Sequence, residues 1–112
     1  MKRGEIYYAS LNPTVGSEIN KRRPVLIVSN NANNRAANTL TVLPLTSNTD
    51  RVFPFEVLLT AKQTGLKQNS KALAQQIRTL SKSRLSPDKA GEVSPALMQK
   101  IDAAIKLHLG LE

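Results

Sequence analysis

The sequence predicts a mainly β, α+β fold: a small β-barrel or sheet with one helix packed on it near the C-terminus. Three observations predict it. Short segments rich in β-branched, aromatic and leucine residues recur along the first 80 positions, each closed by Pro, Gly or Asn. One segment alone, at the C-terminal end, carries helical periodicity between good caps. And 112 residues suit a single domain with one compact core.

Glu5 to Leu11, EIYYASL, is the first strand, and Asn12-Pro13 ends it because proline cannot donate to a ladder. Residues 12–22 form a polar loop with Gly16 as a hinge; a loop that long in so small a domain points to function. Pro24 to Ser29 is the second strand, and its VLIV run, apolar on both faces, places it centrally. Asn30 to Asn38 is a turn or a short helical piece. Thr39 to Leu45 is the third strand, with a bulge or an end at Pro44. Phe55 to Thr60 is the fourth, and Gly65 turns the chain. Ser70 to Gln76 and Ile77 to Leu80 are expected as a strand with a break between them, although Ala, Leu and Gln favour helix. Ser81 to Glu92 is irregular.

The helix is the clearest element. Ser94 is its N-cap, Pro95 takes the first helical position and Gly110 closes it. Leu97, Ile101, Ala104, Ile105 and His108 share a face, so His108 is expected as a partly buried packing residue. No internal repeat divides the chain, and one domain over residues 1–112 is expected.

Charge narrows the partners. Residues 1–84 hold 13 basic and 4 acidic side chains, a balance of +9, and residues 85–112 hold 3 and 4, a balance of −1. A basic body suits a polyanion. Cysteine is absent and histidine occurs once, which removes disulfides, thiolate zinc and multi-histidine metal sites, and no cofactor is expected. No apolar run reaches the roughly 18 residues of a membrane span, and MKRGEIYY lacks the apolar core of a signal peptide. A cytoplasmic protein without membrane contact is expected.

The site begins at Gly16–Asn31, GSEINKRRPVLIVSNN. Three consecutive cations stand there at the mouth of a buried strand. If the second and third strands pair antiparallel with residue 24 opposite residue 45, Arg23 falls opposite Thr46. A guanidinium can hold two phosphate oxygens, and Pro24 biases Arg23 toward an extended backbone. Thr46 adds a neutral donor. The plainer alternative is a surface arginine beside a turn threonine. Lys21 and Arg22 extend the patch and suit the backbone of a nucleic acid. Glu18 can hold a base edge or pair with a cation across the loop. Asn30 and Asn31 can read base edges or serve as turn residues. Gln76 and Arg78, in QQIRT, line the same groove if their strand pairs nearby. With no carboxylate cluster and no second histidine, nuclease chemistry here runs without a metal, which favours RNA and its internal 2′-hydroxyl.

These blocks resemble the MazF/PemK (Kid) toxin family. Arg3-Gly4-Glu5-Ile6, Gly16-Ser17-Glu18 and Arg23-Pro24 match its opening signature, Leu43-Pro44-Leu45-Thr46 its second block, and QIRTLSKSRL, Gln76 to Leu85, its third. The resemblance implies an SH3-like barrel in each chain of a homodimer. It implies a sequence-specific, metal-independent endoribonuclease that cuts single-stranded mRNA and leaves 2′,3′-cyclic phosphate and 5′-hydroxyl ends. The catalytic arginine and hydroxyl residue map onto Arg23 and Thr46; Arg22 is adjacent, and spacing to Pro24 selects Arg23. Ile19, Asn20, Lys21 and Arg22 fall in the variable loop, which places Asn20 with the RNA-binding residues and makes Gly16–Arg22 a mobile flap. The implied partner is an antitoxin with an acidic, flexible segment. Two rival readings remain. A CcdB-like gyrase poison shares the fold but relies on a C-terminal Trp-Ile-type ending, and this sequence has no Trp and ends Leu111-Glu112. A non-catalytic RNA-binding module would stack bases on aromatics, of which there are only two Tyr and two Phe.

Overall fold

A computed structural model describes residues 1–112. Seven strands, β1 (Glu5–Ser10), β2 (Arg22–Ile27), β3 (Thr39–Thr46), β4 (Glu56–Leu59), β5 (Ser70–Leu73), β6 (Arg78–Ser81) and β7 (Gly91–Glu92), form one antiparallel sheet. Its order is β4-β5-β3-β2-β1-β7, with β6 pairing beside the first half of β3. Three helices, α1 (Asn31–Ala36), α2 (Ala61–Thr64) and α3 (Pro95–Leu109), and two 3-10 turns, Ala74–Gln76 and Lys82–Arg84, complete the chain. No helix is long and apolar enough to cross a membrane.

The sheet curls into a partly closed barrel. β1, β2, β3 and β6 run side by side, and a bridge from Ala9 to Leu85 brings the chain after β6 back onto β1. Side chains alternate along each strand, so the central strands feed two cores. Tyr7, Ala9, Val25, Ile27, Leu40, Val42, Leu80 and Leu85 fill the barrel. Ile6, Leu26, Leu43 and Leu45 face the other way and pack with Met98, Ile101 and Ala104 of α3. This is the barrel with an external helix that the sequence predicts, and β2 is central in it, with Val25, Leu26 and Ile27 fully buried.

α3 spans the expected residues. Ser94 caps it by accepting from Leu97 N–H, and Gly110 closes it at φ 71°. His108 departs from expectation: it is exposed, and its ring centroid lies 6.4 Å from that of Phe55. β2 begins two residues earlier than expected because β1 continues to Ser10 and pairs it with Arg22. It ends at Ile27, where Val28 and Ser29 both donate to the Thr41 carbonyl instead of continuing the ladder.

The break between β5 and β6 has a geometric cause. Val42 of β3 faces Arg78, but Leu45 faces Ala72. A continuous register from the first pair would bring Gln75 opposite Leu45, so the chain has gained three residues. The 3-10 turn Ala74–Gln76 absorbs them. Pro44, which has no N–H to give a ladder, lies in β3 between the two registers.

Candidate active site

β2 and β3 pair in the register expected from the sequence: Val25 lies opposite Pro44, Leu26 opposite Leu43 and Ile27 opposite Val42. That ladder ends at Val25 and Pro44. Arg23 and Thr46 each lie two residues beyond it, so strand alternation puts them on the side of Val25 and Pro44. Arg23 and Thr46 are each half-buried. Arg23 Nε donates to the Asn20 carbonyl at 2.6 Å, which fixes one edge of the guanidinium against the loop. Thr46 Oγ1 accepts from Asn48 N–H at 3.3 Å, so its own hydrogen remains to donate.

The neighbouring arginine goes elsewhere. Arg22 leaves the opposite face of β2, and its guanidinium lies over the Tyr8 ring, 5.0 Å from the centroid. A cavity of about 340 Å³ runs beneath that hairpin end, between Tyr8, Arg22, Arg23, Ser47, Lys67 and Gln68. Lys21 is exposed and takes a left-handed backbone, φ 72°.

Glu18, Gln76 and Arg78 come together. They line a groove of about 350 Å³ with Ile19, Pro44 and Gln75, one step along the face from Thr46. Each is tied to the β1–β2 loop. Glu18 Oε1 accepts from Val15 N–H at 2.6 Å. Gln76 accepts from Ile19 N–H at 3.3 Å and donates to the Ser17 carbonyl at 3.4 Å. Arg78 Nη1 donates to the Leu11 carbonyl at 2.8 Å. Asn20 is exposed, and its backbone rather than its side chain meets Arg23.

Asn30 and Asn31 sit apart from this groove. Asn30 caps α1 by accepting from Asn33 N–H at 2.8 Å, and Asn31 accepts from Arg3 N–H at 2.7 Å. Asn30 lines a separate hollow of about 690 Å³ with Arg3, Thr41, Thr79 and Asp102, where Arg3 and Asp102 form an ion pair.

Sequence reasoning missed a buried network next to Thr46. Lys71, paired with Thr46 across β3 and β5, reaches Glu56 Oε1 at 2.9 Å and also donates to the Arg51 carbonyl. Glu56 accepts in addition from Phe53 N–H at 3.0 Å and from Gln75 Nε2 at 2.6 Å. Burial pushes the Glu56 carboxyl up, but these hydrogen bonds and the Lys71 charge outweigh it and hold the group below its ordinary value. Phe53 and Phe55 stack on each other at 5.7 Å, with the Arg51 guanidinium 5.5 Å from the Phe53 centroid.

Residues 2–109 match the model of the PemK-like, MazF-like toxins of type II toxin–antitoxin systems. The chain belongs to this family. It is 47% identical to endoribonuclease MazF9 of Mycobacterium tuberculosis, over 99% of this chain and 98% of that protein. Among solved structures it superposes on an endoribonuclease in complex with its cognate antitoxin from a mycobacterial species, with TM-score 0.80, 35% identity, and 100% and 97% of the two chains covered. It also superposes on MazF from Deinococcus radiodurans, with TM-score 0.85, 26% identity, and 99% and 97% covered. The family's barrel with a C-terminal helix is the fold described above, and these matches run the length of the partner chains.

Proposed function

We propose that this toxin is an endoribonuclease that cuts single-stranded mRNA at preferred sequences without a metal ion. The substrate's own 2′-hydroxyl attacks the adjacent phosphorus. The P–O5′ bond breaks, the 2′-proton is lost to solvent, and the departing O5′ takes up a proton. The products are a 2′,3′-cyclic phosphate and a 5′-hydroxyl.

The observation that supports this reading is the β2–β3 register, which, continued two residues past its last pair, sets Arg23 against Thr46. Arg23 keeps its outer nitrogens for the two non-bridging oxygens, where charge grows in the transition state, and Thr46 Oγ–H donates beside them. Donors fixed in place before reaction are worth roughly 2.7–4 kcal/mol each. Arginine is too weak an acid to exchange protons readily near neutral pH, so Arg23 acts by charge. Glu18, Asn20, Lys21, Arg22, Asn30, Asn31, Gln76 and Arg78 are the proposed RNA contacts; of these, Glu18, Gln76 and Arg78 share one groove.

The chain acts as a homodimer and is restrained by an antitoxin whose acidic, flexible segment covers the basic groove. A body of +9 over residues 1–84 supports an acidic partner, and the structural relative that is in complex with its cognate antitoxin supports an antitoxin as that partner. The test is to incubate purified protein with a long RNA in EDTA and map the ends. Cuts at a recurring short sequence, with cyclic phosphate on the upstream fragment, are expected. Activity abolished by EDTA and restored by a divalent ion would overturn the mechanism.

A further inference from the structure

Gln75 is the middle residue of the 3-10 turn between β5 and β6. Its Nε2 donates to Glu56 Oε2 at 2.6 Å. An ionised carboxylate only accepts hydrogen bonds, so this contact fixes which end of the amide is which. The nitrogen must face Glu56, and the oxygen must face away. Lys71 and Phe53 N–H hold Glu56 in place from its other oxygen, so the carboxylate cannot turn to release the amide.

The oxygen that faces away has no partner. Gln75 Oε1 is shielded from solvent, and it is the one buried side-chain polar atom in the chain without a hydrogen bond. Buried acceptors in native proteins are nearly always satisfied, and an exception calls for a cause. Here the residue lines the groove of about 350 Å³ under the β1–β2 loop. Three other polar side chains of that groove each bond the loop: Gln76 to Ile19 and Ser17, Glu18 through Oε1 to Val15, and Arg78 through Nη1 to Leu11. Ile19, Pro44 and Ile77 add flat apolar wall, suited to the faces of a base.

We propose that Gln75 Oε1 accepts an N–H from one unpaired nucleobase of the RNA and so sets the base preference at one position beside the cut. This assignment rests on the ribonuclease reading above. The donor is an exocyclic amino group of adenine, cytosine or guanine, or a ring imino group of uracil or guanine. The base enters when the loop lifts. The two Gln76 hydrogen bonds that hold the loop are long, 3.3 and 3.4 Å, and are the ones that yield. Glu56 is then a positioning residue, because it denies the amide its flipped orientation and keeps a donor from being presented instead.

The experiment uses the wild-type chain and short oligoribonucleotides carrying one mapped cleavage site. At each flanking position the N–H donor is removed in turn: purine riboside for adenosine, 2-pyrimidinone riboside for cytidine, inosine or 1-methylguanosine for guanosine, 3-methyluridine for uridine. One position should lose about 10-fold in kcat/KM, and the analogue that causes the loss tells an amino donor from an imino one. With Gln75→Met, checked by its melting curve, the penalty at that position alone should shrink to within about twofold. If no donor removal costs the wild-type chain more than about threefold, the assignment falls without any variant. If Gln75→Met keeps the full penalty, it falls as well. Both results leave the ribonuclease reading standing, whereas a wild-type chain that cuts no RNA at all overturns that reading and this assignment with it.

Discussion

Lys71 stands directly opposite Thr46 across the β3–β5 ladder, so the two side chains leave the same face of the sheet. Yet the ammonium is spent on Glu56 and on the Arg51 carbonyl. It ties down the segment that follows Thr46 instead of reaching toward a ligand. The free cationic groups at the barrel mouth therefore come from the other side, from the start of β2.

Arg23 and Arg22 should be separable by mutation although they are adjacent. Arg23→Ala and Thr46→Ala should each lower the initial rate of RNA cleavage by about 10²-fold or more, with an unchanged circular dichroism spectrum. Arg22→Ala should cost less than about 10-fold, because its guanidinium is held on Tyr8 at the opposite face. Equal losses at the two arginines would remove Arg23 from its assigned role.

The Glu56–Lys71 pair should behave as a unit. Glu56 and Lys71 side chains are 3% and 11% exposed, so neither charge can turn to water. Glu56→Leu should destabilise the fold by about 3–5 kcal/mol, since it leaves Lys71 buried and unpaired. The double variant Glu56→Leu/Lys71→Met should recover most of that loss. Urea denaturation of the two single variants and the double variant measures the coupling, and additive losses would contradict it.

Stability should fall at both ends of the pH scale for separate reasons. Glu56 and Glu5 titrate below their ordinary value of 4.5 in the folded chain. Depressed acids contribute stability above that value and lose it as pH falls through the folded pKa. Tyr7 is shifted the other way, above 10.0, by burial and by the Glu5 carboxylate it bonds. Its ionisation is disfavoured in the fold, so stability should decline again as pH rises past 10. Melting temperatures across the range should show a plateau between these limits, and Glu56→Gln should soften the acid side.

Lys21 should pull stability and binding in opposite directions. A side chain at φ 72° carries a steric cost of about 1–2 kcal/mol that glycine avoids, less glycine's larger chain entropy. Lys21→Gly should therefore raise stability by up to about 1 kcal/mol. Loss of its charge should also weaken RNA binding and flatten the dependence of affinity on salt. An unchanged salt slope would argue against a phosphate contact there.

The parts of the fold legible in the sequence are those set by local signals. α3 carries its N-cap, its proline and its closing glycine within seventeen residues. The register of β2 on β3 follows from two apolar runs and the length of chain between them. The capping box of α2, Thr60 with Gln63, was equally local; the strand pattern leading into it hides it. What stays out of reach depends on distant residues meeting. Glu56 and Lys71 are fifteen positions apart and meet only once β4 pairs with β5. Gln75 acquires its fixed orientation only through that meeting. His108 keeps the helical spacing of the buried face yet is exposed, because periodicity alone does not say which turns of a helix are covered.

The three residues gained between β5 and β6 have a use beyond geometry. Because the 3-10 turn carries no ladder pairing to β3, it does not set how β5 and β6 register on that strand. Gln75 is tied to Glu56 of β4, whereas Gln76 bonds the β1–β2 loop. Substitutions at Gln76 can therefore retune what the groove accepts while the alignment on β3 stays as it was. Such an insert separates two kinds of selection, one on folding and one on what the groove holds, and lets the second proceed without taxing the first.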